Sequence, residues 1–205
     1  LKANSTSLSA AAPQITESGS AVYAAQYDSK TWTGELIAYS SKFDSESGDP
    51  SLTEAWRFSA ELETDAAVDG WLKKRKIATY NTTTKAGVAF VLGNLAADQK
   101  TALDTAYRSG DDSSDYLNYL RGDRKHEKSS TVSGSAKAYR DRSVLLGDIV
   151  NSKVRAVAMP SSPFSDNAGY SEFKETHKAR KTMLYVGTNQ GMLHAVDGTI
   201  GEANS

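Results

Sequence analysis

The chain has 205 residues, with 24 Lys and Arg against 25 Asp and Glu, a formal net charge of -1 at pH 7. That balance excludes nucleic-acid binding through bulk charge, because counterion release needs a clearly basic face. Apolar residues are 39% and charged residues 24% of the sequence, enough for a modest core and short of a disordered composition.

No apolar run approaches the roughly 20 residues that cross a bilayer as a helix, so no membrane span is expected. Cysteine is absent, which excludes disulfides, thiolate nucleophiles and cysteine-held metals together. The sequence starts at Leu1 rather than Met, and its opening residues lack the charged and apolar regions of a signal peptide. It reads as a processed chain or a piece of a longer one.

Residues 1–20, rich in Ser and Ala with Pro13, read as a flexible linker or arm, with order expected to begin near Ala21. Over 21–41, two β-prone runs flank a polar stretch that ends at Gly34, the pattern of a hairpin. Residues 43–52 have a loop composition, with Asp44, Gly48, Asp49 and Pro50. Behind Thr53, the spacing of Trp56, Ala60 and Glu63 predicts a helix from Glu54 onward. A second hairpin is expected from 74–80 and 87–92.

The stripe of Leu95, Ala96, Gln99, Ala102, Leu103 and Ala106 has the one-sided spacing of an amphipathic helix over 95–108. Asp112 or Ser113 is placed to cap a short helix holding Tyr116, Leu117, Tyr119 and Leu120, closed by Gly122. Residues 123–137 are polar and expected to be mobile. An apolar text resumes over 140–150 and again over 154–159, stopped by Pro160 and Pro163. A short helix is expected over 171–179. Residues 182–188 and 192–197 flank Asn189-Gln190-Gly191, the clearest hairpin of the chain, and this pair needs a partner strand, expected after residue 201, where the sequence stops before one appears.

The final text, from Leu184-Tyr-Val-Gly-Thr through Met192-Leu-His-Ala-Val-Asp, resembles the β-propeller repeat of quinoprotein-like blades. Upstream stand Trp32-Thr-Gly-Glu-Leu-Ile-Ala-Tyr, Tyr119-Leu-Arg-Gly-Asp and Leu145-Leu-Gly-Asp-Ile-Val-Asn-Ser. In that order they resemble the PilY/PilC-type proteins, tip adhesins of type IV pili, across 22–202. The resemblance implies a mainly β chain, a partial (modified seven-bladed) β-propeller with short helical insertions, from the C-terminal half of a larger secreted protein. Residues 21–205 would then be its opening blades, since a blade takes roughly 40 to 50 residues.

It also implies a noncatalytic role in pilus assembly and surface adhesion, outside the cell at the pilus tip or outer membrane surface. The implied partners are minor pilins or the pilus tip complex, and a host surface receptor. The calcium loop of the family belongs to a later blade and has no match here, so no cofactor is expected in this segment.

Arg121-Gly122-Asp123 spells the tripeptide that integrins read, a cation and a carboxylate on either side of a flexible glycine. The competing reading is a helix cap with two locally satisfied charges. Asp111, Ser113 and Asp115 alternate as in the start of a calcium loop, but Tyr116 and Gly122 stand where that loop needs glycine and glutamate, which favours a helix N-terminus. Asp44, Glu46 and Asp49 read as a solvated loop. His126, His177 and His194 lack the spacing that puts two rings on one metal, and no Gly-x-Ser-x-Gly elbow is present.

The basic clusters 73–76 and 121–128 read as charged edges, and Tyr23, Tyr27, Trp32 and Tyr39 as core aromatics. Two other readings compete with the adhesin. A quinoprotein-type dehydrogenase needs further repeats and ligands for quinone and calcium, and a scaffold propeller would bind peptides across its face.

Overall fold

The computed structural model describes residues 6–10, 20–28, 30–66, 75–103, 114–133, 139–160 and 168–200. The chain forms two compact units, one from Leu1–Glu61 with Leu146–Ser205, the other from Leu62–Leu145.

The first unit opens with β1 (Thr6–Ala10), β2 (Ser20–Asp28), β3 (Thr33–Phe43) and β4 (Pro50–Arg57), an antiparallel sheet in sequence order. The expected hairpin over 21–41 is present as β2 and β3, paired from Ser20↔Ser41 to Asp28↔Thr33. Consecutive residues are buried in both strands, Tyr23, Ala24 and Ala25 in β2 and Leu36, Ile37 and Ala38 in β3. Successive side chains point to opposite sides of a strand, so both faces are covered here.

Three expectations for this stretch need correction. Five residues of the segment read as a linker form β1, which pairs with β2 from Thr6↔Gln26 to Ala10↔Val22. A strand joined through its backbone needs no apolar alternation of its own. Helix α1 (Phe58–Ala66) starts four residues later than its periodicity suggests, because Glu54, Trp56 and Arg57 are already paired with Tyr39, Ala38 and Ile37 of β3. Trp32 is not a core aromatic. It is 56% exposed and sits in the left-handed region at φ +54°, in the turn between β2 and β3, where its N–H donates to the Asp28 carbonyl at 2.9 Å.

The second unit contains the hairpin of β5 (Ala78–Asn81) and β6 (Ala86–Ala89), a 3-10 turn at Leu92–Asn94, α2 (Ala97–Leu103) and α3 (Asp115–Arg121). The expected hairpin is present with shorter strands, its turn held by Asn81 Oδ1, which accepts from the N–H groups of Thr83 and Thr84. Of the helix expected over 95–108, residues 97–103 are helical and 104–108 lie outside the described residues. So do Asp112 and Ser113, and Ser114 occupies the N-cap of α3.

The chain then returns to the first unit with β7 (Arg155–Val157), α4 (Tyr170–Thr176), β8 (Met183–Thr188) and β9 (Met192–Asp197). β8 and β9 form the expected hairpin, with Gly191 at φ +78° in its turn. The partner strand is not downstream, as expected, but is β7, which precedes the hairpin and pairs antiparallel with β8. Leu184, Val186, Thr188 and His194 are buried on one face of this sheet, while Val157, Tyr185 and Leu193 are exposed on the other.

Within this unit the Tyr23 ring lies 6.4 Å from Trp56, and Phe58 meets His194 edge-on at 5.6 Å. A backbone bridge joins Thr33 to Gly147. A Cβ on Gly34 would lie 2.1 Å from the Gly147 carbonyl oxygen, and one on Gly147 would lie 2.4 Å from the Gln190 side chain. Backbone cannot yield, so glycine is required at Gly34, while at Gly147 the close neighbour is a flexible side chain.

The architecture is mainly β, in four-, two- and three-stranded antiparallel sheets. Among the described residues these sheets do not close into a barrel or a propeller.

Candidate functional site

The charged residues of greatest interest cluster in the second unit, around the C-terminal end of α3. Its seven residues end at Gly122, which adopts φ +128° and donates its N–H to the carbonyls of Asn118 and Tyr119, 3.0 Å each. Only glycine takes this conformation without strain, so the helix stops here. Arg121 and Gly122 are buried and Asp123 is half-buried. The Asp123 carboxylate accepts the Lys125 N–H at 2.9 Å, and the Asp123 N–H donates to the Asn118 carbonyl. The Arg121 carbonyl accepts a bond from the Arg75 guanidinium. Arg121-Gly122-Asp123 thus lies where α3 turns into the following loop.

That loop does not follow its polar composition. His126 and Glu127 are buried at 4% and 3% exposure, contrary to the mobile segment expected for 123–137. The described part of the segment is organised by ion pairs and by a short parallel bridge between Glu127 and Tyr139. His126 Nε2 stands 2.7 Å from Asp115 Oδ2. Glu127 accepts from Arg142 Nε at 2.6 Å.

The same guanidinium donates to the carbonyls of Tyr119 and Asp123 at 2.7 Å each, and lies 3.8 Å over the Tyr119 ring. Arg124 grips both oxygens of Glu63 at 2.8 Å, and Glu63 accepts the Leu145 N–H at 2.7 Å. Tyr116, Tyr119 and Tyr139 form an aromatic wall with ring centroids 4.7 to 6.0 Å apart.

Burial lowers the pKa of the Arg75 guanidinium, and the nearby charges of Arg142 and Arg121 lower it further. Burial also lowers the pKa of Arg121. Desolvation disfavours the charged form, and neighbouring cations add to it. The carboxylates of Glu127 and Glu63 pair with Arg142 and Arg124. A planar guanidinium with five donors is suited to several carbonyls and a carboxylate at once, which is how Arg142 fixes the loop to α3.

The other sequence candidates are dispersed. Asp115 lies in the first turn of α3, beside His126, and Asp111 and Ser113 are outside the described residues. Asp44 is exposed and its carboxylate accepts the N–H groups of Glu46 and Ser47, which lower its pKa. His177 meets the Phe173 ring edge-on at 4.5 Å. Of the basic run 73–76, Lys73 and Lys74 lie outside the described residues. Among the described residues, no group of three or more acidic or histidine side chains is placed to hold a metal ion.

The sequence reading missed the Glu127–Arg142 and His126–Asp115 pairs. Their one signal was a charged run next to an aromatic-rich helix, and this does not say which charges pair.

Direct comparison of sequences shows that the chain is a relative of proteins named type IV pilus biogenesis factors. It is 35% identical over 208 residues to the type IV pilus biogenesis factor PilY1 homolog of Xylella fastidiosa, covering 98% of this chain and 15% of that protein. It is 33% identical over 181 residues to PilY1 of Pseudomonas aeruginosa strain PAO1, covering 82% of this chain and 14% of that protein. The PilY1 of strain PAK gives the same identity and coverage. The expected kinship with PilY-type proteins is therefore present along most of the chain. The chain spans about one seventh of the length of these relatives. No family model matches it, and no solved structure matches it significantly.

Proposed function

We propose that this chain is a noncatalytic segment of a PilY-type protein that supports type IV pilus biogenesis and surface adhesion from the pilus tip or outer membrane surface. The observation that carries this reading is the 35% identity to a pilus biogenesis factor over 98% of the chain. In this reading the partners are minor pilins or the tip complex, and a host surface receptor is a further partner. The sheets are the opening of a larger β-propeller. The exposed outer face of β7 to β9, with Val157, Tyr185 and Leu193, supports that view, because propeller sheets are covered on both faces by their neighbours.

The ion pairs around Arg142 support a scaffold role. They tie the loop to the helix through one guanidinium. In-frame deletion of this segment from the protein in its own cells tests the proposal. Surface pili and surface attachment are expected to fall together. Unchanged pilus number and attachment would overturn it.

A further inference from the structure

β3 and β4 stay paired past Ser41, the residue of β3 opposite the first residue of β2. Every residue from 42 to 55 is exposed, although the strands are paired from Tyr39↔Glu54 down to Phe43↔Pro50. A two-stranded ribbon with both faces in water gains little from its own side chains. Its two faces are nonetheless different. Phe43 is directly opposite Pro50, and Leu52 is opposite Ser41. Phe43, Pro50 and Leu52 therefore share one face, while Lys42, Ser51 and Thr53 occupy the other. Phe43 is 67% and Leu52 54% exposed, an aromatic and an aliphatic anchor held side by side in water.

The tip beyond them carries Asp44, Glu46 and Asp49 and no cation. It is built before any partner arrives. The Asp44 N–H donates to the Asp49 carbonyl and the Gly48 N–H to the Asp44 carbonyl, 2.9 Å each, with Gly48 at φ +73°. A fixed tip loses little freedom on docking.

We propose that the tip of this ribbon is a docking arm, which seats Phe43 and Leu52 in an apolar cleft of a separate protein bordered by lysine or arginine side chains. The apolar pair supplies the buried anchors. The three carboxylates select a basic rim and repel anionic surfaces such as acidic lipid headgroups. The inference holds whether or not the partner belongs to a pilus.

The test places the photocrosslinker p-benzoylphenylalanine at position 43 of the protein as its own cells produce it, with the same group at the exposed Thr84 as control. The expected result is one discrete adduct with a second protein, absent from the control, whose linked peptide is flanked by Lys or Arg. The Glu46→Lys/Asp49→Lys variant, which spares the turn made by Asp44, is expected to lower the adduct yield about tenfold, with a smaller fall in high salt. Four outcomes would each overturn the proposal: no adduct above the control, an adduct indifferent to the charge reversal, an adduct with lipid, or one with the same polypeptide or a second copy. Pilus number, measured in the same cells, reports separately on the role in biogenesis.

Discussion

The Tyr23 hydroxyl donates a 2.7 Å hydrogen bond to the carbonyl of Gly198, 175 residues further along the chain. Both residues are buried, and the bond ties β2 to the chain just past β9. Tyr23→Phe removes the donor and leaves the carbonyl without it, which is expected to cost about 1–3 kcal/mol in urea denaturation. Burial, followed by the charge of Asp197, raises the Tyr23 pKa above 10.0. Its contribution is therefore complete below pH 10 and is lost as the pH rises through the folded-state value. The alkaline limb of the stability profile should flatten in Tyr23→Phe, and an unchanged limb would refute this assignment.

Gly34 and Gly147 should respond differently to the same methyl group. In Gly34→Ala the new carbon meets backbone oxygen at 2.1 Å, which cannot rotate away. In Gly147→Ala it meets the Gln190 side chain, which can. A loss above about 3 kcal/mol is expected for Gly34→Ala and about 1–2 kcal/mol for Gly147→Ala. Gln190→Ala should restore the second variant and leave the first unchanged, as read from thermal melting of the four proteins.

Several elements were legible in the sequence because a local signal and the tertiary outcome agree. The β8–β9 hairpin combines strand text with Asn189-Gln190-Gly191, whose glycine supplies the positive φ that the turn needs. α3 was delimited by Gly122 for the same reason. The failures are places where distant partners decide. Trp56 has helical spacing with Ala60, yet pairing with Ala38 makes it strand. Glu127 looks like a solvated acid until Arg142, fifteen residues on, is found beside it. The Arg121-Gly122-Asp123 spelling was visible at once, but the burial of Arg121 depends on the fold around it.

Glu127 and Arg142 have side chains only 4% and 7% exposed. Removing one partner of such a pair strands a charge away from water. Glu127→Leu is accordingly expected to cost about 3–5 kcal/mol, while the Glu127→Leu/Arg142→Met double variant should lose less than the Glu127→Leu and Arg142→Met single variants added together. Chemical denaturation of the three variants decides this. Additive losses would mean that the pair acts as two independent residues.

Asp197 has its pKa lowered from 3.8 to about 2, chiefly by the Thr199 hydroxyl, then by the Thr199 N–H and by Lys181. A carboxylate held low stabilises the fold above the unfolded-state pKa and ceases to do so as the pH falls through the folded-state one. The window runs from about pH 4 down to about pH 2. Thr199→Val should bring the Asp197 midpoint back toward 3.8 in a carbon-13 NMR titration of the carboxyl group. Asp197 is nearly half exposed, so water screens the effect and the accompanying change in stability should be small.

The two units differ in how the chain supplies them. The second is one uninterrupted stretch, Leu62–Leu145, whereas the first is assembled from Leu1–Glu61 and Leu146–Ser205. A ribosome therefore delivers every residue of the second unit before it has made Leu184 or Val186 of the first. During that interval β2 and β3 wait with Tyr23 lacking its Gly198 acceptor, and the sheet must be shielded or kept loose until the last strands emerge. The unit whose synthesis begins first is thus the one completed last.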